Sequence, residues 1–173
     1  MHAEKGPSAD IEKAFEQLVA QYQTSLLRMC ALWLEDDCAA EDATQETFFK
    51  AYQALPRFRG ECSLKTWLMR IAVNVCRDMR RSAWLRRVDH RLTPEELSLP
   101  AENPATEDAQ ALAQAIRGLP PKYKNVVLLY YYQDMTLDET AQALGCSPSV
   151  VSRRLKHARE CLRSVLEGGQ NNA

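Results

Sequence analysis

Over 173 residues, 22 lysines and arginines nearly balance 23 aspartates and glutamates, leaving a formal net charge of −1. Uniform attraction to nucleic acid or membrane is therefore excluded, and any such binding has to come from local segregation of charge. The 46% hydrophobic content is ample for packed cores, yet no apolar run approaches the ~20 residues needed to cross a bilayer, and the amino terminus lacks a signal-peptide core; a cytoplasmic protein without membrane insertion is expected.

In chain order, Ile11, Phe15, Leu18, Val19, Tyr22, Leu26, Met29, Cys30 and Trp33 recur at helical spacing and predict a long first helix. A second helix is expected from about Ala39 to Leu55, with Ala43, Thr47, Phe48, Ala51, Tyr52 and Leu55 inward and Pro56 ending it. From Met29 to Phe49 there are six acidic residues and no basic one. After a short loop from Phe58 to Ser63, Ser63 can cap a third helix. On that helix Leu64, Leu68, Ile71, Val75 and Met79 form an apolar stripe, and Arg70, Asn74, Arg77 and Arg81 form a separate polar one. Trp67 lies at the boundary, where its ring could stack on an unpaired base or cap the core. Between Lys65 and Arg91 eight basic residues face two acidic ones. One face of this helix packs and the other can meet phosphate.

Pro94, Pro100 and Pro104, among acidic and small residues, read as an extended linker. It separates two blocks of roughly 60 to 80 residues each, small enough to be modestly stable alone. The second block opens with a helix from about Ala105 to Arg117, broken by Gly118 and the Pro120-Pro121 pair. Pro121 suits the first turn of a helix running to about Gln133, carrying Tyr123, Val126, Val127, Leu129 and Tyr130. Thr136 and Glu139 form a capping box, Leu137, Ala141 and Leu144 supply an apolar side, and Gly145 ends the helix. Ser147 then caps a last helix with Pro148 in its first turn, which makes a helix-turn-helix. On that last helix Val151, Leu155, Ala158 and Leu162 share one face. Ser149, Arg153 and Lys156 point the other way, and Arg154, His157 and Arg159 flank them.

In such a motif the start of the second helix enters the major groove, where Arg153 could grip a guanine edge with two hydrogen bonds. Glu160, one turn on, would repel phosphate and limits groove contact to the first two turns. Of the six cysteines, Cys30, Cys76 and Cys161 sit among apolar helix positions and are expected to be buried and reduced. Cys62, in the loop beside basic residues, is expected to be more exposed. No C-x-x-C pair, no histidine at zinc-ligand spacing and no catalytic constellation is present, so neither a metal nor a cofactor nor an enzymatic activity is expected.

The runs DATQETFFKAYQALPRFRG and TWLMRIAVNVCRDMRR, followed by LPPKYKNVVLLYYYQDMTLDETAQALGCSPSVVSRRLKHAR, resemble the extracytoplasmic-function sigma factors of bacterial RNA polymerase. The resemblance spans Ile11 to Leu166. It implies an all-α protein of two small helical domains: residues 11–88 as the second conserved region, 89–107 as a flexible acidic linker, and 108–168 as the fourth region with its helix-turn-helix. It also implies that Asp42, Gln45, Glu46 and Phe49 dock on the β′ clamp helices of core polymerase, with the β flap as a further contact. Phe58, Arg59, Gly60, Ser63, Lys65, Trp67, Arg70, Asn74, Arg77 and Arg81 would open and hold the minus-ten element. Ser149, Ser152, Arg153, Arg154, Lys156 and His157 would read the minus-thirty-five element as duplex, and an anti-sigma protein would restrain the whole. The recognition helix departs from the family's usual glycine-threonine-valine start, and His157 stands where arginine is common. Two other readings remain open on the residues alone. One is a helix-turn-helix regulator with an amino-terminal dimerisation or sensor domain; the other is a thiol-based redox or metal-sensing switch.

Overall fold

The computed structural model describes residues 7–89 and 106–170, and every regular element among them is helical. The linker reading at 89–107 lies almost wholly outside the described residues. Helix α1 spans Pro7–Leu34, α2 Asp37–Ala54 and α3 Leu64–Asp89. In the second block α4 is Glu107–Arg117, α5 Pro121–Val127, α6 Leu137–Leu144 and α7 Pro148–Gln170.

Local chemistry explains the boundaries. Asp36, in extended backbone, accepts the Ala39 N–H and caps α2. Pro56 then turns the chain into a single 3-10 turn, Leu55–Arg57, because it cannot supply the next helical N–H. Ser63 accepts the Thr66 N–H at 3.1 Å and starts α3 as expected. Thr106 caps α4, two residues later than the periodicity placed its start. Pro121 occupies the first turn of α5. The helix expected to run on to Gln133 instead widens into a π turn over Leu128–Tyr132.

The main core gathers Leu26, Met29, Cys30 and Trp33 of α1, Ala43, Phe48 and Ala51 of α2, and Leu68, Met69, Ala72 and Val75 of α3. The apolar face of α3 is therefore broader than the expected stripe, and Leu64 at its start is exposed. Tyr52, expected to point inward, is 45% exposed. It rests edge-on against Phe15, 5.0 Å between centroids, and its hydroxyl edge keeps that ring at the rim.

The same core also takes in Leu128, Leu129, Met135 and Ala143 from the second block. Helix α6 lies against α3, and α4 touches α1. Two smaller clusters hold the helix-turn-helix together: Val126, Ala141, Val151 and Leu155 in one, Leu119, Val127 and Ala158 in the other. Among the described residues, no helix is long and apolar enough to cross a membrane.

Candidate nucleic-acid and partner interfaces

Asp42, Gln45, Glu46 and Phe49 come together along the outer face of α2 and are all exposed. They form one wall of an open groove whose other wall is Val75, Asp78 and Met79 of α3. Phe49, 57% exposed, places a large apolar ring among carboxylates, a composition suited to protein contact rather than solvation. The Glu46–Lys50 ion pair, 3.3 Å apart on successive turns, contributes at most a few tenths of a kcal/mol.

The residues expected to meet single-stranded DNA divide into a loop pocket and a helical row. Phe58, Arg59, Trp67 and Arg70 line one shallow groove. Phe58 packs on Trp67 at 5.1 Å with the ring planes tilted by 44°, and the half-buried indole covers the core edge. Gly60 adopts a left-handed φ of 71° with open space where a Cβ would stand. Ser63 Oγ also pairs with Thr66 Oγ1 at 2.8 Å and stiffens the loop exit. Beyond the pocket, Arg77 Nη2 donates to Asn74 Oδ1 at 2.6 Å, and Arg81 is exposed one turn further on. This pairing holds the Asn74 amide and the Arg77 guanidinium as one unit on the solvent side of α3.

In the helix-turn-helix the capping box is complete: Thr136 Oγ1 accepts the Glu139 N–H at 3.2 Å, and Glu139 Oε2 accepts the Thr136 N–H at 2.9 Å. The Thr136 N–H, helped by the Thr136 hydroxyl and the charge of Lys65, holds the Glu139 carboxyl below the usual carboxylate range. Gly145 closes α6 at φ 65°. Ser147 Oγ meets Ser149 Oγ at 2.9 Å where α7 begins. Val151, Leu155 and Ala158 are buried, whereas Ser149, Ser152, Arg153, Lys156 and His157 face solvent and Arg154 is half-buried. His157 Nδ1 lies 3.3 Å from Glu160, so that carboxylate has a partner on its own helix.

Several site-forming contacts have no signal in the sequence. Lys124, with no exposed side chain, donates to Glu35 Oε1 at 2.8 Å. Trp33 Nε1 donates to Asn125 Oδ1, and buried Gln133 donates to the Ser25 carbonyl at 3.0 Å. Arg70 Nη2, on the expected DNA row, donates to the Gln142 carbonyl of α6 at 2.6 Å. Periodicity marks Trp33 only as apolar and the others only as polar, and their partners lie in the other block.

The cysteines divide differently from the expectation. Cys30 and Cys76 are buried with their sulfurs 3.6 Å apart, Cys62 and Cys146 are intermediate, and Cys38 and Cys161 are exposed. Cys161 was expected among the buried set, but it falls just off the stripe continued by Leu162. The hydrogen bond to Cys30, with burial, pushes the Cys76 thiol up and holds it protonated. Among the described residues no group of three metal-ligating side chains comes together.

The family model for sigma-70 region 2 matches residues 18–86, and that for sigma-70 region 4 matches residues 109–162. The chain is 28% identical to the RNA polymerase sigma-H factor of Pseudomonas aeruginosa, over 90% of this chain and 88% of that one. It is 33% identical to the ECF RNA polymerase sigma factor SigL of Mycobacterium tuberculosis, over 92% and 93%. Its fold matches that of the sigma factor RpoE of Bartonella quintana, solved with the anti-sigma factor NepR, at a TM-score of 0.79 and 22% identity over 90% and 98% of the two chains.

Proposed function

Because this chain belongs to the extracytoplasmic-function sigma factors of the sigma-70 family, we propose that its three outward faces divide the work of starting transcription. The face of Asp42, Gln45, Glu46 and Phe49 docks on the β′ clamp helices of core RNA polymerase. The exposed Leu112 and Val165 rim an apolar groove between α4 and α7 that fits the β flap. The loop bearing Phe58, Arg59, Gly60 and Ser63, with Lys65, Trp67, Arg70, Asn74, Arg77 and Arg81, takes the non-template strand of the minus-ten element. Extruding a base costs a few kcal/mol of stacking, which aromatic and phosphate contacts in this pocket offset. Helix α7 reads the minus-thirty-five duplex through Ser149, Ser152, Arg153, Arg154, Lys156 and His157. On this reading residues 11–88 and 108–168 are the two working domains, acting by binding rather than catalysis, in the cytoplasm where polymerase works. An anti-sigma protein that covers these faces is the fitting antagonist.

The observation that carries this reading is the joint exposure of an acidic aromatic face on α2 and a basic row on α3 within one small bundle, beside a fully capped helix-turn-helix. Purified chain added to core polymerase should yield promoter-specific run-off RNA. Initiation that occurs only when another sigma factor is supplied would leave a duplex-binding regulator as the better description.

A further inference from the structure

Two thiols that promoter binding does not call on are buried against each other in the first block. Cys30 of α1 and Cys76 of α3 are both at 0% exposure, and Cys76 Sγ donates to Cys30 Sγ at 3.6 Å. The sulfurs therefore touch across the contact between α1 and α3, although 46 positions of chain separate them.

The pair is chemically unequal. The S–H that Cys76 donates holds the Cys30 thiol below the ordinary range against the opposing effect of burial, and the same bond keeps the Cys76 proton in place. The Thr44 hydroxyl gives its proton to the Ala40 carbonyl at 2.7 Å, which leaves Cys76 as the donor to Cys30. Cys30 is thus the member that ionises first, and a thiolate is the form that attacks an electrophile.

A tetrahedral metal needs three or four protein ligands, and among the described residues no third metal-ligating side chain joins the two. Oxidation needs only the pair. Disulfide sulfurs stand about 2.05 Å apart, so closure asks for an approach of about 1.5 Å, shared by two side chains that each turn about a single torsion. Hydrogen peroxide is close to water in size and reaches the sulfurs when the contact between α1 and α3 opens locally.

We propose that Cys30 and Cys76 form a hydroperoxide-responsive dithiol site, in which oxidation joins α1 to α3 by a disulfide and staples the first block. The Cys30 thiolate attacks one peroxide oxygen and the O–O bond breaks. The sulfur becomes a sulfenic acid, and the departing hydroxide takes up the proton that Cys30 lost and leaves as water. The Cys76 sulfur then attacks the Cys30 sulfur, the S–O bond breaks, and the hydroxyl leaves with the Cys76 proton as a second water. Two electrons pass from the sulfurs to the peroxide. The bond closes a long loop and so restricts the unfolded chain more than the folded one. It forms on the buried side of α3, away from the exposed Asn74 and Arg77, and it stands whether or not the promoter reading does.

The test uses the full chain carrying Cys38→Ser, Cys62→Ser and Cys161→Ser, which removes the two exposed thiols and the loop thiol and keeps Cys146 of the second block as an internal control. After hydrogen peroxide treatment of the folded protein, free thiols are alkylated in denaturant and the digest is mapped by mass spectrometry. The peptides of Cys30 and Cys76 should be joined, with Cys146 alkylated. Melting followed by circular dichroism should move up by about 5–10 °C on oxidation. Dithiothreitol should return it to the starting value, which separates the disulfide from methionine oxidation. In the same background Cys76→Ala should stop at a sulfenic acid on Cys30 that dimedone traps, and Cys30→Ala should leave Cys76 unmodified; neither should gain melting temperature from peroxide. Should either alanine variant fail to fold, the map and the reversible melting shift of the parent decide the point.

Cys30 and Cys76 recovered alkylated after peroxide, or either one joined to Cys146, would overturn the site. A Cys30–Cys76 bond that leaves the melting temperature unchanged or lowers it would overturn the staple.

Discussion

A lysine ammonium loses its hydration shell on burial, so Lys124 is stable in the folded chain only because Glu35 Oε1 lies 2.8 Å away. Removing one partner and removing the charge should therefore have opposite consequences. Glu35→Ala leaves the ammonium uncompensated and should cost about 1–3 kcal/mol, less than a wholly buried pair because Glu35 is half exposed. Lys124→Met should be neutral or stabilising; urea unfolding of the two variants decides the point. Arg153 poses a different question, because it is exposed and its neighbours pack without it. Arg153→Ala should leave stability within about 0.5 kcal/mol and should cost about 1–3 kcal/mol of discrimination among minus-thirty-five sequences, read by competition binding. The exposed Arg153 is visible from helical periodicity alone, since that argument needs only the residue's own helix. Lys124 and Gln133 are not, because their partners lie 89 and 108 residues away. A polar residue on a helical wheel is read as solvated unless something outside the helix says otherwise.

Elements whose ends are set by local chemistry were the most legible ones. The Thr136/Glu139 box, the left-handed Gly145, the Ser63 cap and the stop at Pro56 each involve residues within four positions of one another, so the sequence carries the whole interaction. The π turn at Leu128–Tyr132 was not legible, because it places Leu128 and Leu129, followed by Met135 beyond its end, into a core shared with α1 and α3. Tertiary burial there overrides the continuation of α5. Gly145→Ala puts a Cβ at φ 65°, and although nothing crowds it, the backbone itself should cost about 1–2 kcal/mol. Thr136→Ala should cost about 1 kcal/mol by uncapping α6. The cap also has an acid dependence whose sign is fixed. The Thr136 N–H lowers the Glu139 pKa in the folded chain, so the contribution is complete above the ordinary carboxylate value of about 4.3. It is lost as pH falls through the lower folded value. Glu139→Gln keeps a side chain that can complete the box, and its stability should vary less with pH between about 3 and 5 than that of the parent.

Length and punctuation predict two small domains, and the matches to regions 2 and 4 bear them out; the two are joined by an apolar cluster that draws Leu26, Met29, Leu68 and Met69 from one and Leu128, Leu129 and Met135 from the other. Shared burial couples their stabilities, because opening the seam exposes apolar surface on both sides and strands Gln133 and Lys124. Two independent domains would melt in two steps, each with the shallow denaturant dependence of a block of that size. A shared core instead requires one step with the steeper dependence of the whole folded surface. The probes allow the comparison, since Trp33, Trp67 and Trp84 all belong to the first block and their fluorescence reports it alone, whereas circular dichroism reports the helices of both blocks. Urea unfolding followed by tryptophan fluorescence and by far-ultraviolet circular dichroism should therefore give coincident curves for the parent chain. In Glu35→Lys the seam contributes less than either block's own core, and the curves should separate into an early and a late transition. Coincident curves in that variant would mean that the apolar seam holds without its ion pair. Two transitions already present in the parent would mean that the blocks fold as the sequence alone suggests, with the contact between them too weak to join their unfolding.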